Sequence, residues 1–265
     1  MFKVSTRSQF PFAPARLSPT LAVLFPPQVV VAEMREAGDP NTLLPGEAEH
    51  IRRAVPKRIQ EFAAGRQCAR LAMHSFGITD FELRVAADRQ PVWPAGLVGS
   101  ISHTAGLCIA VVADRASISA VGVDCEVVGH VNHEIWATIC TATESEWLAS
   151  LPPPQRAPAV ALLFSAKEAI YKCQYPLTGE WLDFHDLEAL PEGFEPGRGQ
   201  LSLRTTRALK IHSSSDATLG DGRLGDARLG DTTLAEQVLT VEYLFHEGFV
   251  TTGATLPRAQ RSTSA

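Results

Sequence analysis

An α+β fold made of two similar halves is what this sequence predicts, on three observations. A helical period of threes and fours followed by β-branched strand segments occurs twice, with the division near residue 115. The 265 residues, 45% of them apolar, suffice for one large core or for two halves packed together. The motif-bearing segments fall on both sides of the division, which places a site between residues 1–115 and residues 116–265.

Residues 1–27 hold five prolines and little periodicity, so an extended arm is expected there, with one short strand near Leu21–Phe25. From Glu47 to Phe76 the residues Ile51, Val55, Ile59, Phe62, Ala69 and Met73 recur at helical spacing. Pro56 divides this stretch into two helices, the second starting near Lys57. The turn-rich run from Asp88 to Gly99 leads towards Leu107–Ala113, which reads as a buried strand. After the polar turn at Asp114–Ser117, valines and Cys125 alternate with Gly122, Asp124 and Glu126, and period two puts both acids on one face.

Residues 132–150 read as helical, the prolines at 152–154 as a break, and Ala157–Tyr175 as a second long helix. Strands near 200–212 and 237–253 would finish the fold as a hairpin. Between them Leu219-Gly-Asp, Leu224-Gly-Asp and Leu229-Gly-Asp repeat every five residues. This 212–234 segment is expected to be a flexible polar loop at the hairpin tip, with calcium binding by its aspartates as the sharper alternative.

A net charge of -5 argues against nucleic-acid and membrane-surface binding, so any anion site must be built from a few placed cations. The five scattered cysteines include no C-x-x-C pair and suit a reducing compartment. The Leu21–Phe25 run is too short for a signal-peptide core or a membrane span, so a cytoplasmic protein is expected.

Three patches carry chemistry: Ser100-Ile-Ser-His103, Gly122-Val-Asp124-Cys-Glu126 and Phe164-Ser-Ala-Lys167-Glu168-Ala-Ile-Tyr-Lys172. Each has an ordinary alternative, namely a core histidine, a solvated strand face and a surface ion pair at i,i+4. Taken together, three carboxylates and two lysines suit oxygen ligation of magnesium beside a polyphosphate. Closely spaced histidines and thiolates for zinc are lacking, as is a Walker loop, so side chains must grip the phosphates. Lys57, Arg58, Arg66 and Arg70 lie on the polar arc of their helix, and Arg58 and Arg66 are two turns apart, roughly 12 Å along the axis.

The blocks at 57–70, 91–103, 122–126 and 164–176 resemble, in order and spacing, the signature blocks of Sfp-type 4'-phosphopantetheinyl transferases. The enterobactin synthetase component D subgroup is the most similar in kind, and the resemblance covers about residues 45–190. It implies the two-half fold of that family, with Asp124, Glu126 and Glu168 holding Mg2+ against the pyrophosphate of coenzyme A. It also implies that Lys167, Lys172, Ser102 and His103 lie near the phosphates, and that Arg58 and Arg66 grip the 3'-phosphate region. Arg89 stands near a position where relatives carry a lysine, Phe164 where many carry Trp, and Cys125 is expected to face inward. The implied reaction moves phosphopantetheine to a serine of an apo acyl or peptidyl carrier protein; for the base our choice is Glu168, with Glu126 and a metal-bound water as the alternatives. Such a chain holds both halves of the site and is expected to be a monomer. The rival readings are a metal-dependent nucleotide phosphohydrolase and a non-catalytic coenzyme A-binding module.

Overall fold

Prolines start the helices of this chain more often than they break them. The computed structural model describes residues 14–191, 193–210, 233–234 and 238–258. Its α-helices are α1 (Pro19–Ala22), α2 (Pro45–Ile51), α3 (Pro56–His74), α4 (Trp136–Ile139), α5 (Ala142–Ser150) and α6 (Pro153–Thr178). Four of them open on a proline, where the missing N–H removes nothing and φ is already helical. Hence α6 begins at Pro153 instead of after the 152–154 run expected to be a break. It ends at Gly179, whose φ of 63° closes the last turn. The division at Pro56 is as expected, whereas Leu21–Phe25 belongs to the short helix α1 and its exit, not to a strand.

One antiparallel sheet contains β1 (Arg16–Leu17), β2 (Val29–Arg35), β3 (Leu97–Thr104) and β4 (Leu107–Asp114), in the order β1-β2-β4-β3. The other strands are β5 (Ile118–Val127), β6 (Leu187–Ala189), β7 (Arg198–Thr205), β8 (Leu209–Lys210), β9 (Thr233–Leu234), β10 (Val238–His246) and β11 (Phe249–Pro257). They form a second sheet, β5-β11-β10-β7-β6, and a small β8–β9 pair. The two segments expected to pair do so, β7 lying antiparallel to β10, and the 237–253 segment divides into β10 and β11 at a tight turn through Glu247 and Gly248, with φ of 49° and 84°. The five-residue repeat expected at the tip between β7 and β10 lies outside the described residues.

Both halves share a connectivity. A strand (β2 or β5) leads to a long helix (α3 or α6), and the last strand of the half (β4 or β11) returns beside that first strand. This is the two-half α+β architecture expected, although each half opens with a strand before its helix.

The helices cover their sheets with separate cores. Ala64, Cys68, Ala72 and Met73 of α3 meet Met34, Ala110 and Val112, while the apolar length of α6 meets Leu201, Val241 and Val250. A third core joins the halves, where Leu21, Val31, Ile109 and Val111 pack on Val121, Val123 and Cys125. No described helix is long and apolar enough to cross a membrane.

Candidate active site

Strand β5 alternates as its sequence requires, and the inward residues Val121, Val123 and Cys125 are buried. Asp124 points the other way, towards α6 and β3, and it too is buried, at 3% exposure. The helix comes this close because Gly122 has no side chain. A Cβ there would lie 2.0 Å from the Ala169 carbonyl oxygen and 2.8 Å from the Cys173 nitrogen. Gly122→Ala must therefore push α6 off β5. We expect a loss of about 1–3 kcal/mol in a denaturant titration, the usual cost of overpacking, and a larger fractional loss of activity, since Asp124 and Glu168 sit on the two elements forced apart.

Strand β3 meets β5 through serine hydroxyls. Ser100 Oγ accepts from Val123 N at 3.1 Å, and Ser102 Oγ donates to Asp124 Oδ1 at 2.8 Å. Lys172 Nζ from α6 reaches the same Oδ1 at 2.7 Å and Ser102 Oγ at 3.2 Å. Asp124 Oδ2 is buried and has no hydrogen-bond partner among the described residues. An orphaned carboxylate oxygen is costly unless something positive completes it.

Glu126 and Glu168 lie near enough for the charge of Asp124 to act on both. Burial, then Asp124 and Glu168, push the Glu126 carboxyl up to about 7 against the pull of Lys172. Burial and Asp124 likewise raise Glu168, partly offset by Lys172. Burial pushes the Lys172 ammonium down, but Asp124 and Glu168 outweigh it and hold Lys172 above its ordinary value.

A cleft of about 1120 Å³ opens between the halves, bordered by Asp124 and Lys172 at one side and by Arg58, Arg66 and His103 at another. Burial lowers His103, with Glu61 pulling it up and Arg58 and Lys172 pushing it down. Its Nε2 lies 2.9 Å from Arg58 Nη1 and 3.0 Å from Glu61 Oε2, so the tautomer decides which bond it makes. Arg66 is buried, with its guanidinium carbon 3.9 Å from the Phe62 ring centroid and its Nε donating to Leu83 O. Arg89 borders the cleft from an exposed turn, with a left-handed φ of 73°.

The family model for the 4'-phosphopantetheinyl transferase N-terminal domain matches residues 46–113, and that for the 4'-phosphopantetheinyl transferase superfamily matches residues 120–226. Over 170 residues the chain is 42% identical to 4'-phosphopantetheinyl transferase Svp of Streptomyces mobaraensis, covering 63% of this chain and 67% of the relative. It belongs to this superfamily. Over 166 residues it is 32% identical to 4'-phosphopantetheinyl transferase Npt of Nocardia iowensis, covering 63% of this chain and 74% of that one. Enterobactin synthase component D of Salmonella typhimurium is 37% identical over 177 residues, covering 65% of this chain and 68% of the relative. Membership carries phosphopantetheinyl transferase activity, and the enterobactin relatives agree with the subgroup whose blocks the sequence resembles.

Within this transferase the structure brings Arg58, Arg66, Arg89, Ser102, His103, Asp124 and Lys172 to one cleft. Glu126 and Glu168 stand close enough to Asp124 for its charge to shift both. Lys167 is a correction. It is 1% exposed and its Nζ turns into the core of the C-terminal half, bonding Glu144 Oε2 at 2.6 Å, Ile139 O at 2.8 Å and Phe184 O at 2.9 Å. On a helix at about 100° per residue, Lys167 projects roughly 140° away from Lys172, the residue of α6 that borders the cleft. Arg70 is diverted in the same way, to buried Glu47 and Thr42 O. Glu144 was missed by sequence reasoning, although its capping box with Thr141 was a legible local signal. Phe164 packs on Phe184 with ring centroids 5.4 Å apart, as expected of an aromatic exchange, and Cys125 is fully buried.

Proposed function

We propose that this transferase moves the 4'-phosphopantetheinyl group of coenzyme A onto a serine of an apo carrier protein, with Mg2+ held by Asp124, Glu126 and Glu168. The observation that carries the reading is the unpartnered, buried Asp124 Oδ2 at the edge of a cleft bordered by Arg58, Arg66 and Lys172, with two further acids near enough to feel its charge. Among the described residues no group of three or more His, Cys, Asp or Glu is placed to hold a metal ion. On this reading the three acids supply only part of the coordination, and water and substrate phosphates supply the rest, as is usual for Mg2+. Bound there, Mg2+ would draw charge from the pyrophosphate.

The chain's own side chains do the rest. Lys172, His103, Arg58 and Arg66 offer donors to phosphate oxygens along the cleft, with Arg89 at its lip. The carrier serine oxygen attacks the β-phosphorus, the P–O bond to 3',5'-ADP breaks, and a carboxylate takes the serine proton. Glu168 is our choice, with Glu126 the other candidate; both are raised from the ordinary carboxylate range, which brings a base nearer to working pH. Positioning and fixed charge supply most of the acceleration, as in phosphoryl transfer generally. The five cysteines are free, buried thiols, which supports a reducing, cytoplasmic setting. One described chain supplies both walls of the cleft, which supports a monomer.

Incubating the protein with coenzyme A, Mg2+ and an apo carrier should add the mass of one phosphopantetheinyl group to the carrier, and EDTA should stop it. Release of nucleotide from coenzyme A without carrier would instead favour the phosphohydrolase. Binding of coenzyme A without product under any metal would favour the non-catalytic module.

A further inference from the structure

Among the described residues of the N-terminal half, Ser102 is the side chain that hydrogen-bonds the carboxylate whose other oxygen is orphaned. From Ser102 Oγ, 4% exposed at the residue level, the proton goes to Asp124 Oδ1 and a lone pair faces the Lys172 ammonium. A hydroxyl has a single proton to give. Spent on Asp124, it is not available to a phosphate oxygen, the role implied by the family resemblance.

The two donors on Oδ1 have a geometric consequence. Ser102 comes from β3 and Lys172 from α6, and they approach the same oxygen from different elements, fixing the carboxylate's rotation. Oδ2 is the oxygen left over, and it is the buried atom without a partner. We infer that Ser102 is a positioning residue: it locks the Asp124 carboxylate so that Oδ2 is presented to the divalent cation, and ties that presentation to the contact between the halves. This deepens the proposed function and rests on its metal reading. Partners that orient a metal-binding group typically contribute about 10–100-fold in affinity.

The test is a titration of the purified full chain with Mn2+ as the probe, followed by calorimetry or by loss of the free-ion spin signal, beside coenzyme A binding in EDTA. Ser102→Ala should weaken Mn2+ by about 10–100-fold and leave metal-free coenzyme A affinity within about twofold. Ser102→Cys, close in size but a weak donor, should fall between the two. The control is Ser100→Ala, on the same face of β3 but bonded to Val123 N and not to Asp124. It removes an interface hydroxyl and should leave Mn2+ affinity near wild type. Equal weakening by Ser100→Ala and Ser102→Ala would overturn the proposal in favour of general loosening between the halves. Loss of coenzyme A affinity in EDTA with Mn2+ binding intact would overturn it in favour of a phosphate contact. If the wild-type chain binds no Mn2+, the metal reading itself falls and takes the proposal with it, an outcome distinct from a bound metal that ignores Ser102.

Discussion

Replacing Lys167 with alanine is expected to lower the stability of the folded chain by about 3–5 kcal/mol, the cost of leaving one member of a buried ion pair alone. The partner left behind is Glu144, itself 1% exposed, which also accepts from Ala189 N at 2.6 Å and caps α5 through Thr141 N at 2.8 Å. Lys167 Nζ has three partners on separate elements, so its loss also strands the carbonyls of Ile139 and Phe184. Lys167→Met, which keeps most of the volume but not the charge, should be nearly as damaging as alanine. Adding Glu144→Gln to Lys167→Met should recover part of the loss, because no unpaired charge remains buried and the amide oxygen can still accept from the backbone. The readout is the midpoint of a urea titration followed by circular dichroism. A Lys167→Met protein with an unchanged midpoint and a raised KM for coenzyme A would return this lysine to the phosphates and refute the structural role.

That reassignment shows what could be read from the chain and what could not. Period two in Val121–Val127 correctly put Asp124 opposite the buried valines, because strand alternation is local. Gly122 was quoted only as part of a motif; its reason is the helix backbone that approaches it from residues 169–173, far along the chain. The α3 and α6 periodicities located both long helices, yet which cation on each helix faces the cleft depended on its register against a sheet. Arg58 and Arg66 border the cleft, whereas Arg70 and Lys167 are drawn inward by Glu47 and Glu144. Strand β2 went unnoticed because it is buried along most of its length and shows no alternation to signal it. The β10–β11 turn was hidden because Glu247 occupies a left-handed position where Gly or Asn is the usual marker. The Ser102–Asp124 bond joins residues in different halves, and no local pattern encodes such a pair.

The second large effect is expected at the acids. Asp124→Asn, Glu126→Gln and Glu168→Gln each keep the side-chain shape and remove a negative charge, and each should lower phosphopantetheinyl transfer by about 10²–10³-fold or more, the scale seen when one preorganised electrostatic group is lost. Glu126→Gln has a further signature with a definite sign. Burial and its acidic neighbours raise the Glu126 carboxyl to about 7 when no cation is bound, so between the ordinary carboxylate range and that point the folded chain holds a proton that the unfolded chain has lost. Where the folded state binds more protons, stability falls as pH rises. The cation-free wild-type protein should therefore lose stability from about pH 5 to above pH 7 through this group, and Glu126→Gln should flatten that part of the profile. Mg2+ should stabilise the wild type more at pH 8 than at pH 6, because at the lower pH it must displace a proton. In Glu126→Gln that pH-dependent gain should shrink along with activity. Thermal melts at the two pH values, with Mg2+ and with EDTA, check all of this, and a wild-type gain that is larger at pH 6 would show that these carboxylates do not receive the cation.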